Sequence, residues 1–263
     1  MQSLSVVLLL FLIAVKAQEY YVPSTIIPLE FSPQPRVVNG EHAHLGQFKH
    51  QVSLRQNGRH VCGGSIISRS FVVTAAHCVK SGGKVIPASQ FSIQAGSVVL
   101  HSGGVFVNVA GIRAHAQHSS NNPAIGFDVA VLRLQKPLTF GPNIGAIQLA
   151  QADPPDNAIV QTSGWGYVRA GGPISNVLLY TNLKAISRAA CSRYLRSVPN
   201  SIICLLHDTS TGVCQGDSGG PAIYKGQLIG ITSFVVGTCA QAAPDGFARV
   251  TAVRSWIASL AGI

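Results

Sequence analysis

The amino-acid sequence predicts an all-β protein folded as antiparallel β-barrels, and three observations favour this class. Short segments in which apolar and polar residues alternate recur along the chain, with turn-forming residues between them. The chain contains 27 glycines and 14 prolines, a composition that suits many tight turns, and segments with helical periodicity are few. Its 263 residues fit one large all-β unit or two small barrels.

The first seventeen residues have the pattern of a secretion signal. Residues 6–15 form an uninterrupted apolar run that is too short to span a bilayer, and Val15-Lys16-Ala17 ends in a small residue suited to cleavage. No basic side chain precedes the run, so a membrane anchor is the alternative interpretation. No other segment is long and apolar enough to cross a membrane. We therefore predict a signal peptide over residues 1–17 and a secreted protein.

An extended leader is predicted over residues 18–36. Four prolines lie in this stretch, and proline disfavours both a helix interior and an interior strand. The leader ends at the basic residue Arg36.

Strand patterns begin after the leader. Residues 50–54 alternate as a strand, and Asn57-Gly58 then provides residues suited to a hairpin turn. The same pattern predicts strands at residues 70–73 and 105–109, and residues 128–134 are apolar enough to be buried. The chain therefore continues as a series of short strands.

A second series of strands follows Asp153-Pro154-Pro155, which we interpret as a linker between two halves. Residues 228–231 form its clearest strand. Helical character appears only in residues 251–260, where Val253, Trp256, Ile257 and Leu260 lie on one face.

Three motifs carry chemistry. In Gly216-Asp217-Ser218-Gly219-Gly220 a serine lies between glycines, which let backbone N–H groups approach the serine oxygen closely. Upstream, Thr74-Ala75-Ala76-His77-Cys78 supplies a base and Asp128-Val129-Ala130-Val131-Leu132 supplies an acid. A nucleophile, a base and an orienting acid are the components of acyl-transfer catalysis, and their order here is His, Asp, Ser.

This order and these motifs resemble those of the chymotrypsin- and trypsin-like serine endopeptidases. Four more segments carry the resemblance, which runs from residue 36 to the end of the chain: Arg36-Val37-Val38-Asn39-Gly40, Cys62-Gly63-Gly64-Ser65, Ser163-Gly164-Trp165-Gly166 and Phe247-Ala248-Arg249-Val250. It implies two antiparallel six-stranded Greek-key β-barrels with a short C-terminal helix. The expected protease domain covers residues 37–263, with barrel one at about 37–150, barrel two at about 151–250 and the helix at about 251–261.

The resemblance also implies a role for each motif residue. Ser218 is the expected nucleophile, His77 the general base and Asp128 the acid that orients it. The backbone N–H groups of Gly216 and Ser218 are the expected oxyanion hole. Ser233 matches the serine that contacts the buried acid and is grouped with the substrate-binding residues.

Activation is expected to follow cleavage after Arg36. In the family, the new amine, here that of Val37, inserts and pairs with the acid before the serine, here Asp217. A zymogen with an activation leader at residues 18–36 is therefore expected.

Six cysteines suit an oxidising, extracellular compartment, although counting alone permits fifteen pairings. The resemblance implies three disulfides: Cys62–Cys78, Cys191–Cys204 and Cys214–Cys239.

The cleavage specificity follows less directly from the motifs. By position, Gly212 is the expected floor of the primary pocket, and Val235 narrows it. Asp245 is expected on the pocket wall. Its charge there attracts Arg or Lys or is neutralised by a residue not identified from the sequence. In the remaining alternative, the side chain points elsewhere. The pattern resembles broad-specificity arthropod digestive members, so we expect a mixed or small-to-medium apolar preference.

The net charge of +10 is unchanged without the leader, since seventeen Lys and Arg face seven Asp and Glu from residue 37 on. Such a surface favours binding to acidic glycans, anionic membranes or acidic substrates. The alternative is a solvated surface with no partner selected by charge. No motif supports nucleic-acid binding. A non-catalytic protein of the same fold, binding acidic glycans or microbial surfaces, is the alternative function.

We expect no cofactor and no metal. The pairs His42/His44 and His115/His118 have spacings that suit metals, but no carboxylate or cysteine accompanies them, which favours solvated loops. Residues 85–110 contain no Asp or Glu, so no calcium site is expected. The expected partners are protein or peptide substrates, an activating trypsin-like protease and protein inhibitors, and the expected state is a monomer.

Overall fold

The structure is a computed structural model, and it describes residues 40–119, 126–195, 197–207, 211–239 and 243–263. The predicted signal peptide, the leader and the expected new terminus at Val37 lie outside the described residues.

The first half of the chain forms a closed antiparallel barrel of six strands in the order β2-β3-β4-β9-β8-β7. The strands of this half are β1 (Glu41–His42), β2 (Gln51–Gln56), β3 (Arg59–Ser68), β4 (Phe71–Thr74), β5 (Lys80–Ser81), β6 (Lys84–Val85), β7 (Phe91–Ala95), β8 (Val105–Ala114) and β9 (Ala130–Leu134). The short strands β5 and β6 pair only with each other, outside the barrel.

The second half forms another six-stranded ring, in the order β12-β11-β14-β15-β16-β13, which closes where β12 pairs with β13. Its strands are β10 (Gln148–Leu149), β11 (Ile159–Gly164), β12 (Leu179–Ile186), β13 (Ile202–Leu206), β14 (Pro221–Tyr224), β15 (Gln227–Phe234) and β16 (Asp245–Arg249). The predicted pair of six-stranded antiparallel barrels is therefore confirmed. Two two-residue strands outside the ring join this sheet: β1 pairs with β12, and β10 pairs in parallel with β15.

Two α-helices are present in the described residues, α1 (Arg188–Cys191) and α2 (Val250–Ala261), together with 3₁₀ turns at Ala76–Val79 and Ala88–Gln90. The predicted C-terminal helix is confirmed as α2. It ends where Gly262 takes a left-handed φ of 68°, and its N–H donates to Ala258. None of the helices in the described part of the chain is long and apolar enough to cross a membrane.

The predicted hairpin at Asn57-Gly58 joins β2 to β3. Both residues have positive φ, 50° and 79°, as a two-residue hairpin turn requires. Alternation along β2 directs Val52 and Leu54 into the barrel, where both are fully buried. The local pattern thus fixes which face of the hairpin lies against the core.

Helix α2 packs onto the first barrel although it follows the second in sequence. Its buried residues Val253 and Ile257 belong to the same apolar cluster as Val52 and Leu132. Burying such a side chain stabilises the fold by about 1.5–3 kcal/mol. The end of the chain therefore ties the two halves together.

A smaller apolar cluster forms around Trp165, which is 2% exposed and packs with Phe48, Leu100 and Leu178. The indole Nε1 donates to the carbonyl of Val98 at 3.1 Å. The tryptophan of the Ser163–Gly166 motif therefore anchors a loop of the first half to the second barrel.

The loop between β7 and β8 is organised by one amide. Gln94 Nε2 donates to the carbonyls of Val99, Ser102 and Gly103 at 3.0–3.1 Å. The side chain is 2% exposed, so it holds these oxygens from inside the loop.

Three disulfides close the pairs that the resemblance implies: Cys62–Cys78, Cys191–Cys204 and Cys214–Cys239. The first joins β3 to the turn that carries His77. The third holds the loop before Ser218. Each closes a short loop, which typically stabilises a fold by about 2–4 kcal/mol.

Candidate active site

Adjacent strands bring His77 and Asp128 together. His77 lies in the 3₁₀ turn that follows β4, and Asp128 lies just before β9, which pairs with β4. The ring Nδ1 of His77 is 2.7 Å from Asp128 Oδ2, and the backbone N–H of His77 donates to Asp128 Oδ1 at 2.9 Å. The carboxylate therefore holds both the ring and the main chain of the histidine.

Asp128 is 1% exposed and has a further donor from the second barrel. The hydroxyl of Ser233, on β15, donates to Oδ2 at 2.6 Å. Burial raises the pKa of Asp128, but hydrogen bonds from His77 and Ser233 outweigh it and hold the pKa below its ordinary value. The group is an anion at neutral pH.

The loop around Ser218 is built on glycine conformations and close approaches. Gly216 and Gly219 have φ values of 95° and 78°, which favour glycine. A Cβ on Gly219 would lie 2.2 Å from Thr74 Oγ1, so only glycine lets this loop pass so close to the end of β4. The N–H of Gly63 donates to the carbonyl of Ser218 at 2.7 Å. The serine is therefore placed beside the His77 turn.

No hydrogen bond joins the Ser218 hydroxyl to His77 within the described residues. The other ring nitrogen of His77, Nε2, lies 3.7 Å from Cys78 Sγ. Contacts between nucleophile and base are often long without substrate and tighten when it binds. The His77–Asp128 half of the arrangement is formed, and the Ser218 loop lies against it.

His60 fixes the peptide of Gly216, a contact that no sequence motif predicted. Its Nε2 lies 3.1 Å from the carbonyl of Gly216, and its Nδ1 lies 2.8 Å from Ser53 Oγ. Burial lowers the pKa of His60 to about 4, against the raising effect of the Gly216 hydrogen bond. The ring is therefore neutral, so Nε2–H donates to the carbonyl and Nδ1 accepts from Ser53. This holds the orientation of the Gly216 peptide.

Asp217 points into the protein, as the sequence resemblance implies. It is 2% exposed; its Oδ1 accepts from the N–H of Gly166 at 2.7 Å, and its Oδ2 accepts from that of Cys214 at 2.9 Å. Burial raises its pKa to about 6, against the lowering effect of these hydrogen bonds. A Cβ on Gly164 would lie 2.0 Å from the carboxylate, which explains a glycine before Trp165.

Two of the residues assigned by resemblance to the specificity pocket, Gly212 and Asp245, lie beside the buried ring of His207. Asp245 is 2% exposed; one of its oxygens lies 3.6 Å from His207 Nε2 and 3.4 Å from the N–H of Val213. The ring of His207 is 3.1 Å from where a Cβ on Gly212 would lie. Val235 is half-buried against the core of the second barrel.

The pKa of Asp245 is raised to about 8, first by burial and further by the nearby Asp217, against one hydrogen bond from Val213. His207 is the residue that the sequence could not identify beside this carboxyl. It follows β13 directly, and β13 pairs with β16, the strand that begins at Asp245. Only this pairing brings the two residues together.

A second histidine approaches the carboxylate that holds His77. His118 Nδ1 lies 3.5 Å from Asp128 Oδ1, and the side chains of both residues are 2% exposed. The sequence indicates no such contact, since His118 was notable there only for its spacing from His115, which suits a pair of metal ligands.

Among the described residues, one group has metal-ligand proximity: Cys62, His77 and Cys78. The two cysteines form a disulfide with each other, so neither offers a thiolate. This cluster therefore suits no metal ion.

Comparison with known proteins identifies the family. The family model described as Trypsin matches residues 37–257. Serine protease SP24D of Anopheles gambiae is 40% identical over 222 residues, covering 84% of this chain and 80% of that protein. Trypsin alpha of Drosophila melanogaster is 36% identical over 245 residues, covering 91% and 92%.

A solved structure of similar fold is neuropsin, described as a serine protease expressed in the limbic system of mouse brain. It has a TM-score of 0.77 and 28% sequence identity, and the match covers 84% of this chain and 98% of neuropsin. Together with the geometry around His77, Asp128 and Ser218, these matches establish that the chain belongs to the trypsin family and is a serine endopeptidase.

Proposed function

We propose that this endopeptidase cleaves peptide bonds through an acyl-enzyme on Ser218, with His77 as general base and Asp128 as its orienting acid. The observation that carries the proposal is the pair of contacts between Asp128 and His77, at 2.7 Å to the ring and 2.9 Å to the main chain. They hold the proton on Nδ1 and leave Nε2 free to accept one from the serine hydroxyl.

In this mechanism Ser218 Oγ attacks the scissile carbonyl carbon while its proton moves to His77 Nε2. The imidazolium that forms is stabilised by the Asp128 carboxylate, and the N–H groups of Gly216 and Ser218 stabilise the oxyanion. His77 then donates the proton to the leaving amine as the C–N bond breaks. Water hydrolyses the resulting ester by the same steps in reverse.

Labelling with a fluorophosphonate tests this assignment after cleavage at Arg36. One adduct is expected on Ser218, and Ser218→Ala should carry none. Asp128→Asn should lower kcat by about 10⁴-fold, since the amide favours the wrong tautomer of the base. A protein that folds and is cleaved but forms no adduct would instead favour the alternative, a non-catalytic protein that binds acidic glycans or microbial surfaces.

We infer that the chain is a zymogen activated by cleavage after Arg36. Asp217 is fully buried, and within the described residues none of the ion pairs involves it. An unpaired buried carboxylate is costly, so the carboxylate favours a cationic partner. The amine of Val37 would supply that partner and order the Gly216 peptide.

N-terminal sequencing of the active form should find Val37 at its terminus. Arg36→Gln should remain uncut and inactive, while Arg36→Lys, which keeps a basic cleavage site, should be activated by a trypsin-like protease. Full activity in uncut Arg36→Gln would contradict the proposal.

We infer that the primary pocket accepts uncharged side chains at neutral pH. Gly212 would form its floor and Val235 would narrow it, while Asp245 lies buried against His207. Because the pKa of Asp245 is about 8, its carboxyl is protonated below that pH and offers no anion to a basic side chain. Small-to-medium apolar residues are therefore the expected preference.

The selectivity should change with pH. Ionisation of Asp245 above about pH 8 creates a negative pocket, so the ratio of kcat/KM for an Arg peptide to that for a matched Leu peptide should rise between about pH 7 and 9. Taking this ratio at each pH cancels every effect of pH on catalysis that the two peptides share. Asp245→Asn should make the ratio flat, and a rise that persists in that variant would contradict the assignment.

We infer secretion from the predicted signal peptide at residues 1–17 and the leader at residues 18–36, and the three disulfides are consistent with an oxidising compartment. Protein substrates follow from the family. A trypsin-like activating protease, protein inhibitors and a monomeric state are part of the proposal. Detection of cleaved protein in the medium of expressing cells, with residues 1–17 removed, would test it.

A further inference from the structure

The buried imidazole of His118 faces the Asp128 carboxylate from the loop between β8 and β9. Its Nδ1 lies 3.5 Å from Asp128 Oδ1. That oxygen already accepts one hydrogen bond, from the backbone of His77, while Oδ2 accepts from the His77 ring and from Ser233. A carboxylate oxygen accepts two hydrogen bonds, so Oδ1 has a lone pair left for His118.

The ring of His118 depends on this carboxylate for its polar environment. Neither ring nitrogen has a hydrogen-bond partner in the described part of the chain, and the side chain is 2% exposed. Leaving a buried donor or acceptor unpaired costs about 1–3 kcal/mol. The facing carboxylate reduces this cost, so Asp128 orients the ring.

The charges around His118 keep its ring neutral. Burial lowers the pKa of His118; the facing Asp128 opposes this, and Lys80, His77 and His115 lower the pKa further. Lys80 is held close, since its Nζ donates to the carbonyl of His118 at 3.0 Å. Residues 120–125, which lie outside the described set, carry no titratable side chain.

A neutral imidazole carries one ring proton, and the carboxylate decides where it lies. An unprotonated Nδ1 would direct a lone pair at an anionic oxygen. The tautomer with the proton on Nδ1 instead points an N–H dipole at Asp128 Oδ1. At 3.5 Å this is an electrostatic contact, longer than a normal hydrogen bond.

We propose that His118 is a positioning residue for catalysis, which directs its Nδ1–H at Asp128 and weakens the field of that carboxylate at His77. The inference rests on the proposed roles of His77 and Asp128. Its consequence is that the imidazolium of His77 is less stabilised than it would be by Asp128 alone.

Two substitutions separate this role from simple packing. His118→Leu removes the dipole, whereas His118→Asn keeps an N–H donor near the position of Nδ1. The acid limb of kcat/KM should move to higher pH by about 0.5 unit in the Leu variant, because His77 then gains a proton more readily. In the Asn variant the limb should stay near that of the parent protein.

The outcomes that overturn the proposal are specific. Coinciding acid limbs in the parent and Leu proteins would show that His118 has no electrostatic effect on His77. Equal shifts in the Leu and Asn variants would show a packing effect only. A kcat/KM that falls by the same factor at every pH would also count against it.

A measurement without turnover keeps the proposal testable if the Leu variant is poorly active. In mature Ser218→Ala protein labelled with ¹⁵N-histidine, the titration of His77 can be followed directly by NMR, with and without His118→Asn or His118→Leu. The Nδ1 of His118 should resonate as a protonated nitrogen at neutral pH, and an unprotonated Nδ1 would overturn the inference. Failure of the proposed function would appear separately, as a parent protein that a fluorophosphonate does not label.

Discussion

At the residue scale, the site depends on carboxyl groups that differ in how their charge is balanced. Asp128 receives three hydrogen bonds from His77 and Ser233 and stays ionised. Asp217 receives two, and burial raises its pKa to about 6; among the described residues one backbone N–H, that of Val213 at 3.4 Å, donates to Asp245, and burial raises its pKa to about 8. The pKa values of the three carboxyl groups thus rise as the number and strength of their hydrogen-bond donors fall.

The raised pKa of Asp217 makes the uncut chain sensitive to pH. Since the pKa in the folded state is about 6 and the ordinary value is 3.8, the folded chain favours the protonated form. The stability that this group contributes is present below about pH 4 and is lost as pH rises through about 6. In uncut Arg36→Gln protein the free energy of unfolding should fall between about pH 4 and about pH 8. This fall should be about 3 kcal/mol smaller when Asp217→Asn is added.

Denaturant unfolding of both proteins at about pH 4 and about pH 8 measures this difference. The substitution also removes a hydrogen-bond acceptor from the backbone N–H groups, and comparing the two pH values within each protein cancels that loss. Identical pH dependence in the two proteins would show that Asp217 is ionised or paired in the uncut chain.

The residue contacts divide into those that local sequence predicts and those that it does not. His77, Asp128 and Ser218 each lie in a recognisable motif, so the sequence predicts them, together with their order, as the candidate catalytic set. His60, His118 and His207 lie in no such motif. His60 meets Gly216 and His207 meets Asp245 only through tertiary approach, and a single sequence contains no signal for it.

At the element scale, strand pattern predicted segments of β2, β4, β8 and β15 but not other long strands such as β3 and β12, and elements defined by pairing alone were also missed. The alternation in β2 and the Asn57-Gly58 turn identify the first hairpin, since both depend on neighbouring residues. The two-residue strands β1 and β10 have no pattern of their own, and they exist because the ends of β12 and β15 extend beyond one of their neighbours in the ring. Helix α1 had one local signal, Ser187, whose side chain accepts from Ala190 as an N-cap.

The loop of Ser218 depends on its approach to β4, and Gly219→Ala tests this. The new Cβ would lie 2.2 Å from Thr74 Oγ1 and 2.6 Å from the carbonyl of Gly63, and φ is 78°. The loop must move away from His77, so kcat should fall by at least about 100-fold.

Gly226→Ala is the matched control. Its φ of 75° is nearly the same, but nothing in the described structure lies within 4 Å of the new Cβ. This variant should lose only about 1 kcal/mol of stability, from the left-handed backbone, and keep its kcat. Equal losses of kcat in the two variants would show that backbone conformation matters here and the close approach does not.

At the scale of the whole molecule, the positive charge is concentrated in the first half. Residues 42–152 contain nine Lys and Arg but a single acid, Asp128, which is 1% exposed. The first half therefore carries nine Lys and Arg side chains, and among the residues described before Asp153 the one exposed acid is Glu41 on β1. His77 and Asp128 belong to this half, so its field acts on peptides that approach them.

This field predicts a salt effect that depends on the charge of the substrate. Raising the ionic strength from about 20 mM to about 500 mM should lower kcat/KM for an acidic peptide by roughly tenfold, because screening shortens the reach of the field. A neutral peptide with the same cleaved bond should change little. Parallel responses of the two peptides would mean that the basic surface does not act on the cleft.

The Ser218 loop belongs to the second barrel, yet the Gly63–Ser218 and His60–Gly216 contacts fasten it to the first. Any movement between the two halves therefore displaces the Ser218 loop and lowers activity before either barrel unfolds. Loss of turnover on warming should therefore precede or coincide with thermal unfolding, and turnover that persists beyond the unfolding transition would contradict this coupling.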